Sequence, residues 1–309
     1  MKILIKIAWR NIWRNRNRSL IIITSIVLGL WAGTSVSALY YGMGEDRVTI
    51  AIQNELSHIQ IHHPNFKDDY KAKFTIPYND TLQHILKSTD NVKAWSARSR
   101  AMGMITSTTN SSGVQISGVE PVLEDSTTHL AAKIIDGKYL DPGKANQILV
   151  GAKLAERMRL KIKSKVVLTF MDKDDNLASG AFRVAGIFHS DNSAWDDMNV
   201  FVRREDLNSL LVLDSNAAHE IAILLNTNRK IDTTVAQLKA DFPNYLVESW
   251  MVVSPETNVL ISLMTQVSVI FVVIILLALS FGIVNIMLMA VLERTREIGM
   301  MIALGMTRL

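Results

Sequence analysis

The sequence predicts an α+β membrane protein, with two transmembrane helices flanking a mixed α/β domain that lies outside the cytoplasm. Three observations predict it. Ser19 to Tyr41 is dominated by Ile, Val, Leu, Ala and Gly and carries no Asp, Glu, Lys or Arg. Thr257 to Leu292 is the longest charge-free stretch of the chain. Between them lies a polar segment with short alternating and helical patterns, long enough for one domain or two subdomains. An α-helix rises about 1.5 Å per residue and the hydrocarbon core is about 30 Å thick, so about 20 apolar residues cross it. The second stretch exceeds one crossing, and its surplus is expected to project beyond the bilayer as a helical stalk.

Residues 1–18 carry Lys2, Lys6, Arg10, Arg14, Arg16 and Arg18 and no acidic residue, which by the positive-inside rule keeps the N-terminus in the cytoplasm. Lys2, Lys6, Arg10, Arg14 and Arg18 recur every four residues, while Ile5, Trp9, Ile12 and Trp13 follow a helical period. An interfacial amphipathic helix is expected there, with a disordered basic tail as the alternative. Residues 19–41 form the first span rather than a signal peptide, whose apolar core runs to only about 7–15 residues. Residues 42–256 are then the outer domain, 257–292 the stalk and second span, and 293–309 a cytoplasmic segment with Arg294, Arg296 and Arg308. The net charge of +4 and isoelectric point near 9.2 come from the two membrane-flanking ends. The outer segment is acidic on balance, and the basic excess faces a membrane, which excludes a nucleic-acid reading.

The chain has no Cys, so the outer domain must be held by a packed core without disulfides. It opens with Ser57-His-Ile-Gln-Ile-His-His-Pro64, an alternating strand stopped by proline. Val92 to Val119 alternates only in places, and Thr108-Thr-Asn-Ser-Ser-Gly113 reads as a hairpin turn. Strands are expected at Ile148–Val150, Lys165–Met171, Ala181–His189, Asn199–Val202 and Glu220–Leu225, with a turn at Asp172-Lys-Asp-Asp-Asn176. Helices are expected at Ala152–Met158, Glu205–Leu211 and Asp232–Asp241.

Catalytic and metal motifs are missing. No Gly-x-x-x-x-Gly-Lys-Ser/Thr loop, Gly-x-Ser-x-Gly elbow or His-Glu-x-x-His helix occurs. His58 and His62 would share a strand face, with His63 opposite, but no third ligand stands near, and no metal is expected. Asp172, Asp174 and Asn176 resemble the start of a calcium loop; Leu177 stands where glycine is required, so a solvated turn is the better reading. With no nucleophile, base and orienting group assembled by motif, a non-catalytic chain is expected, binding no cofactor of its own.

The spans carry more information. Ser25, Gly29, Gly33 and Ser37 recur every four residues and form a small-residue stripe that lets another helix approach closely. Ala278, Gly282, Ile286 and Ala290, with Asn285 beside them, make a weaker row in the second span. Glu293 to Leu309 reads as a docking helix, with Ile298, Met301, Ile302 and Leu304 apolar, Arg294, Arg296 and Glu297 charged, and methionines for adaptable contact.

Asn285-Ile-Met-Leu-Met-Ala-Val-Leu-Glu-Arg-Thr-Arg-Glu-Ile-Gly-Met-Met-Ile-Ala-Leu-Gly-Met-Thr-Arg308 resembles the signature of FtsX/MacB-type ABC transporter permeases. Ala8-Trp-Arg-Asn-Ile-Trp-Arg-Asn-Arg-Asn-Arg18 with the span after it is similar to the same family. Gly151-Ala-Lys-Leu-Ala155 and Phe182-Arg-Val-Ala-Gly-Ile-Phe188 resemble its extracytoplasmic (MacB-like periplasmic) core domain. Ser57 to Pro64 is similar to the lipoprotein-releasing LolC/LolE branch. The resemblance covers essentially the whole chain and implies four spans, so a chain ending at Leu309 is expected to be truncated before the third and fourth.

It further implies a bacterial inner-membrane, multi-pass permease subunit. A separate ABC ATPase would hold ATP and Mg and touch Glu293, Arg294, Thr295, Arg296, Glu297, Gly299, Ala303 and Gly305. Other implied partners are a second or related permease, membrane lipid, and a lipoprotein cargo or a periplasmic carrier or adaptor. Mechanotransmission to release lipoproteins is the expected function; a MacB-type export permease, an FtsX-like regulator of cell-wall hydrolases and a two-span ligand sensor are the alternatives.

Overall fold

A computed structural model describes residues 16–52, 56–293, 295, 299–300 and 303–304. The chain divides into two compact units. One is Val48–Asn258; the other comprises the described residues of Met1–Arg47 and Val259–Leu309.

The second of these is helical. Helix α1 runs Arg16–Ala51 and the last helix, α10, runs Pro255–Glu293. Both are long and apolar enough to cross a membrane, with candidate spans at Ile23–Ala51 and Pro255–Met289. Their large apolar side chains are mostly solvent-facing, Trp31 at 67% and Phe281 at 73% among them. Such surfaces require lipid or another helix to cover them.

Val48–Asn258 is built on strands β1 (Ile59–His62), β2 (Ile76–Pro77), β3 (Val92–Thr106), β4 (Ser111–Val119), β5 (Ile134–Gly137), β6 (Gln147–Gly151), β7 (Lys165–Met171), β8 (Leu177–Phe188), β9 (Asn199–Arg203), β10 (Ala217–Ala218), β11 (Glu220–Leu225) and β12 (Leu246–Ser249). Helices α2 (Phe66–Asp69), α3 (Asp80–Ser88), α4 (Pro121–Thr128), α5 (Ala152–Met158), α6 (Ser193–Met198), α7 (Arg204–Leu210), α8 (Ile231–Asp241) and α9 (Trp250–Val253) connect them. The strand order is β12-β1-β11-β3-β4-β9-β6-β8-β5, and β7 pairs with both β3 and β8. The circuit β3-β4-β9-β6-β8-β7 therefore closes on itself as a barrel. Strand β5 pairs with β8 and β2 with β10, while β12-β1-β11 with the first half of β3 make an antiparallel sheet. Taken with α3 and α8, that sheet has the β-α-β-β-α-β order of a split βαβ unit. The barrel is inserted between its second and third strands.

Local chemistry explains these elements. Helix α3 begins where the Asn79 side chain accepts a hydrogen bond from Leu82 N at 2.9 Å, an N-cap, and buries Leu82 and Leu86, four residues apart on one face. Strand β6 gives way to α5 at Gly151, where an added Cβ would stand 2.0 Å from Asp196 O, so only glycine lets the two segments pass. The β7–β8 hairpin turns where the Asp172 carboxylate accepts from Asp174 N at 2.8 Å and Asn176 N at 2.9 Å. Ile105, Ile116, Ile148, Val150, Leu168, Val184, Val200 and Val202, drawn from every strand of the barrel, are fully buried in its core, with Leu154 of α5 and Leu207 of α7 packed in. Strands β6 and β9 are buried on both faces because a second cluster, built on Phe188, Trp195 and Phe201, covers their other side.

The strands at Lys165–Met171 and Glu220–Leu225 and the helix at Ala152–Met158 have the bounds expected from sequence. Strand β8 starts earlier than expected, at Leu177. The irregular stretch from Val92 onward is one 15-residue strand. Its alternation fails because Ser96, Arg98, Ser99 and Arg100 are buried polar residues.

Candidate functional site

The small-residue stripe of α1 lies against α10. An added Cβ at Gly29 would come within 2.6 Å of Leu279 Cδ2, and one at Gly33 would rest 3.6 Å from Ile275 Cγ2. Ser268 Oγ lies 3.3 Å from Ser37 Oγ, and Tyr40 stacks on Phe271 at 6.2 Å between centroids. The pairs run in opposite directions along the two helices, so the packing is antiparallel. Ser25 is exposed, its hydroxyl turned back to Ile21 O at 2.8 Å. On α10 the half-buried residues include Ile261, Met264, Ser268, Val272, Ile275 and Leu279, at the three- and four-residue spacing of a packed seam. Of the row expected on α10, Ala278, Gly282 and Asn285 are exposed, nothing stands within 4 Å of a Cβ at Gly282, and the side chains of Ile286 and Ala290 lie outside the described residues. Ala278 stands one residue, about 100° of helical rotation, from Leu279, which turns it off the seam.

At the far end of α10, Thr295 Oγ1 donates to Leu292 O at 2.8 Å, continuing the helix. Gly299 is helical with open space around it, and Ala303 is exposed. Arg294, Arg296, Glu297 and Gly305 lie outside the described residues, as does the side chain of Glu293, and so do residues 1–15 of the expected amphipathic helix.

Sequence reading missed a buried ion cluster where β3 passes from the open sheet into the barrel. Arg98 pairs with β11 there and Arg100 with β4. Arg98, 1% exposed, donates from Nε and Nη2 to Glu124 Oε2 and Oε1 at 2.9 and 2.8 Å, and from Nη1 to Glu220 Oε1 at 2.8 Å. Arg100 donates to Glu220 from Nε at 3.0 Å and to Ser117 Oγ from Nη1 at 2.7 Å. Burial alone would raise the Glu220 pKa; Arg100 and Arg98 outweigh it and hold it down to about 2. Burial likewise opposes the Arg98 charge, and Glu124 and Glu220 more than restore it, raising its pKa. His219 accepts from Arg100 N at Nδ1, 3.0 Å, and its Nε2 faces Ala72 O at 2.9 Å, so the neutral ring satisfies both nitrogens. Burial lowers its pKa to about 4. The cluster joins β3, β11 and α4, and so ties the open sheet to the barrel. A pair of arginines two apart in an expected strand is the signal that could have found it.

His58, just before β1, and His62, at its end, are apart in role. His58 Nδ1 accepts from Leu225 N at 3.2 Å, whereas His62 Nε2 faces Gln60 Oε1 at 2.9 Å and is buried. Among the described residues no cluster of three or more His, Cys, Asp or Glu is placed to hold a metal ion.

A profile of the MacB-like periplasmic core domain matches residues 19–241. No curated protein matches the sequence. Among solved structures, the periplasmic region of MacB from Actinobacillus actinomycetemcomitans is 10% identical, with a TM-score of 0.46 over 69% of this chain and 98% of that one. The extracellular domain of the noncanonic ABC-type transporter YknZ from Gram-positive bacteria is 15% identical, with a TM-score of 0.43 over 62% of this chain and 99% of that one. A domain of a permease protein from Porphyromonas gingivalis is 13% identical, with a TM-score of 0.36 over 64% of this chain and 91% of that one.

Proposed function

This chain belongs to the MacB-like periplasmic core domain family, and on that premise we propose that it is the permease subunit of a MacB/FtsX-type ABC transporter that conveys force from a separate ATPase to a periplasmic cargo. The cargo class we assign is a lipid-anchored protein, released from the inner membrane. The observation that carries the reading is α10. It is a single helix of 39 residues, about 58 Å long at about 1.5 Å per residue, against a hydrocarbon core of about 30 Å. One unbroken rod therefore has length for a span and a stalk, and its first residues, 255–258, belong to the Val48–Asn258 unit. The buried cluster at Arg98, Glu124 and Glu220 supports the same reading, because it binds the two halves of the outer domain into one body that can transmit a push.

In this reading the segment Glu293 to Gly305 docks on the ATPase. Arg294, Arg296 and Glu297 make polar contacts there, and Gly299 and Gly305 permit close approach. ATP and Mg are held by that partner. The two states of the machine need only differ in contacts at this docking segment for nucleotide to shift the rod. Substituting Arg296→Ala and Glu297→Ala together in a complex reconstituted with its ATPase is expected to abolish stimulation of ATP hydrolysis by the permease. Unchanged stimulation overturns the assignment of the docking segment. Capture of an export adaptor or a cell-wall hydrolase by the outer domain, in place of a lipoprotein carrier, would move the protein to the export or regulatory branch of the family.

A further inference from the structure

A groove on the barrel, remote in sequence from both the seam and the buried cluster, has an unusual charge pattern. Its floor is the outer face of β8, where Ala181, Arg183 and Ala185 alternate with the buried Phe182 and Val184. Lys163 just before β7, Lys165 at its start, Lys138 after β5, and Lys144 in the loop before β6 line this open groove of about 1080 Å³. No Asp or Glu lines it. Lys144 pairs with Asp141 at 3.4 Å in an exposed setting, and no ion pair among the described residues neutralises Lys138, Lys163, Lys165 or Arg183. The register of β7 and β8 sets Lys165 directly opposite Arg183. Like charges in that position repel, and an anion between them would relieve the repulsion. The basic pattern extends beyond the groove, since every second residue from Arg159 to Lys165 is basic. All this occurs on a domain that is acidic on balance.

We propose that this groove binds the phosphate group of an anionic ligand, with Arg183 as its central contact. Arg183 offers forked donors, and Lys163, Lys165, Lys138 and Lys144 surround it as point charges. A carboxylate, with one charge and two oxygens, would be satisfied by the arginine alone. A phosphate carries up to about two charges on at least three acceptor oxygens and uses the surrounding lysines as well. The small side chains of Ala181 and Ala185 leave room beside it for the body to which the phosphate is attached. That body can be a soluble compound or a lipid; the recognised chemistry is the same.

The test uses the full chain in nanodiscs of neutral phosphatidylcholine. Binding is measured calorimetrically for tripolyphosphate, for dihexanoyl phosphatidic acid below its micelle-forming concentration, and for citrate as a carboxylate of similar charge. At least one phosphate probe is expected to bind, and Arg183→Gln with Lys165→Gln is expected to weaken it tenfold or more. Lys87→Gln on α3 leaves it unchanged. Binding of both probes assigns the site to phosphate alone; binding of the lipid probe only assigns it to a phosphorylated amphiphile. Without ligand, the double variant melts no lower than the wild type, and phosphate raises the melting temperature of the wild type only. Failure of both phosphate probes, equal binding of citrate, or equal weakening by Lys87→Gln overturns the proposal.

Discussion

Substituting Glu220→Gln tests whether the buried cluster holds the two halves of the outer domain together. Its carboxylate accepts from Arg98 Nη1 at 2.8 Å, Arg100 Nε at 3.0 Å and Arg100 Nη2 at 3.3 Å, and Glu220 is 4% exposed. A glutamine keeps one acceptor oxygen but turns an amide N–H₂ toward a guanidinium donor. It also leaves the buried Arg98 with Glu124 as its carboxylate, and the buried Arg100 with Ser117 Oγ and no carboxylate in contact among the described residues. Removing one partner of a buried ion pair costs roughly 3–5 kcal/mol, mostly because the surviving charge stays desolvated. Replacing Arg100→Met in the same chain removes one stranded charge, so the double variant is expected to lose less than the sum of the two single losses. The assay is urea unfolding of the full chain in detergent, followed by the fluorescence of Trp95, Trp195 and Trp250. A loss below about 1 kcal/mol for Glu220→Gln, or strict additivity with Arg100→Met, would refute the assignment of the cluster as the junction's clamp.

Acid should weaken the outer domain in two windows. His219 and His58 are both lowered to about 4 by burial, with Lys93 adding to the effect at His58. Between pH 6.5 and 4 the unfolded chain therefore binds more protons, and stability falls as pH falls through that range. Glu220, held at about 2, contributes stability that is full above pH 4.5 and is lost as pH drops toward 2, on the order of 3 kcal/mol. Urea midpoints measured across pH 2–7 check both windows; a flat profile from pH 6.5 to 4 contradicts the histidine assignment. In the membrane unit, Ser37→Cys with Ser268→Cys is expected to cross-link readily in a chain that has no native cysteine. Adding Gly29→Leu, whose Cβ would meet Leu279 at 2.6 Å, should reduce the cross-linking several-fold. Undiminished cross-linking would show that the helices meet on another face.

Much of the architecture could be read from the chain before it was folded. Helix α5, strand β7 and strand β11 stand where periodicity put them, because each has one uninterrupted pattern and a clear stop. The Asp172–Asn176 turn was likewise legible, since its polar run brackets two alternating strands. Helices α3 and α4 and strands β5 and β12 escaped notice, being short. Strand β3 was obscured for a different reason. Its buried face carries Arg98 and Arg100 in place of apolar side chains, and no pattern rule recognises a charge as interior until its partners are known.

The amino-acid sequence by itself determined the two long apolar helices, the mixed α/β character of the region between them, and the small-residue face of α1. These follow from local composition and period, which act over a few residues. Only the tertiary structure decided that β3 serves both sheets, that Glu124 and Glu220 reach the same pair of arginines from distant points, and that Leu279 rather than Ala278 meets α1. It also brought Lys138, Lys144, Lys163, Lys165 and Arg183 around one groove. Each of these depends on strand register or helix rotation, which is set by packing between segments far apart in the chain.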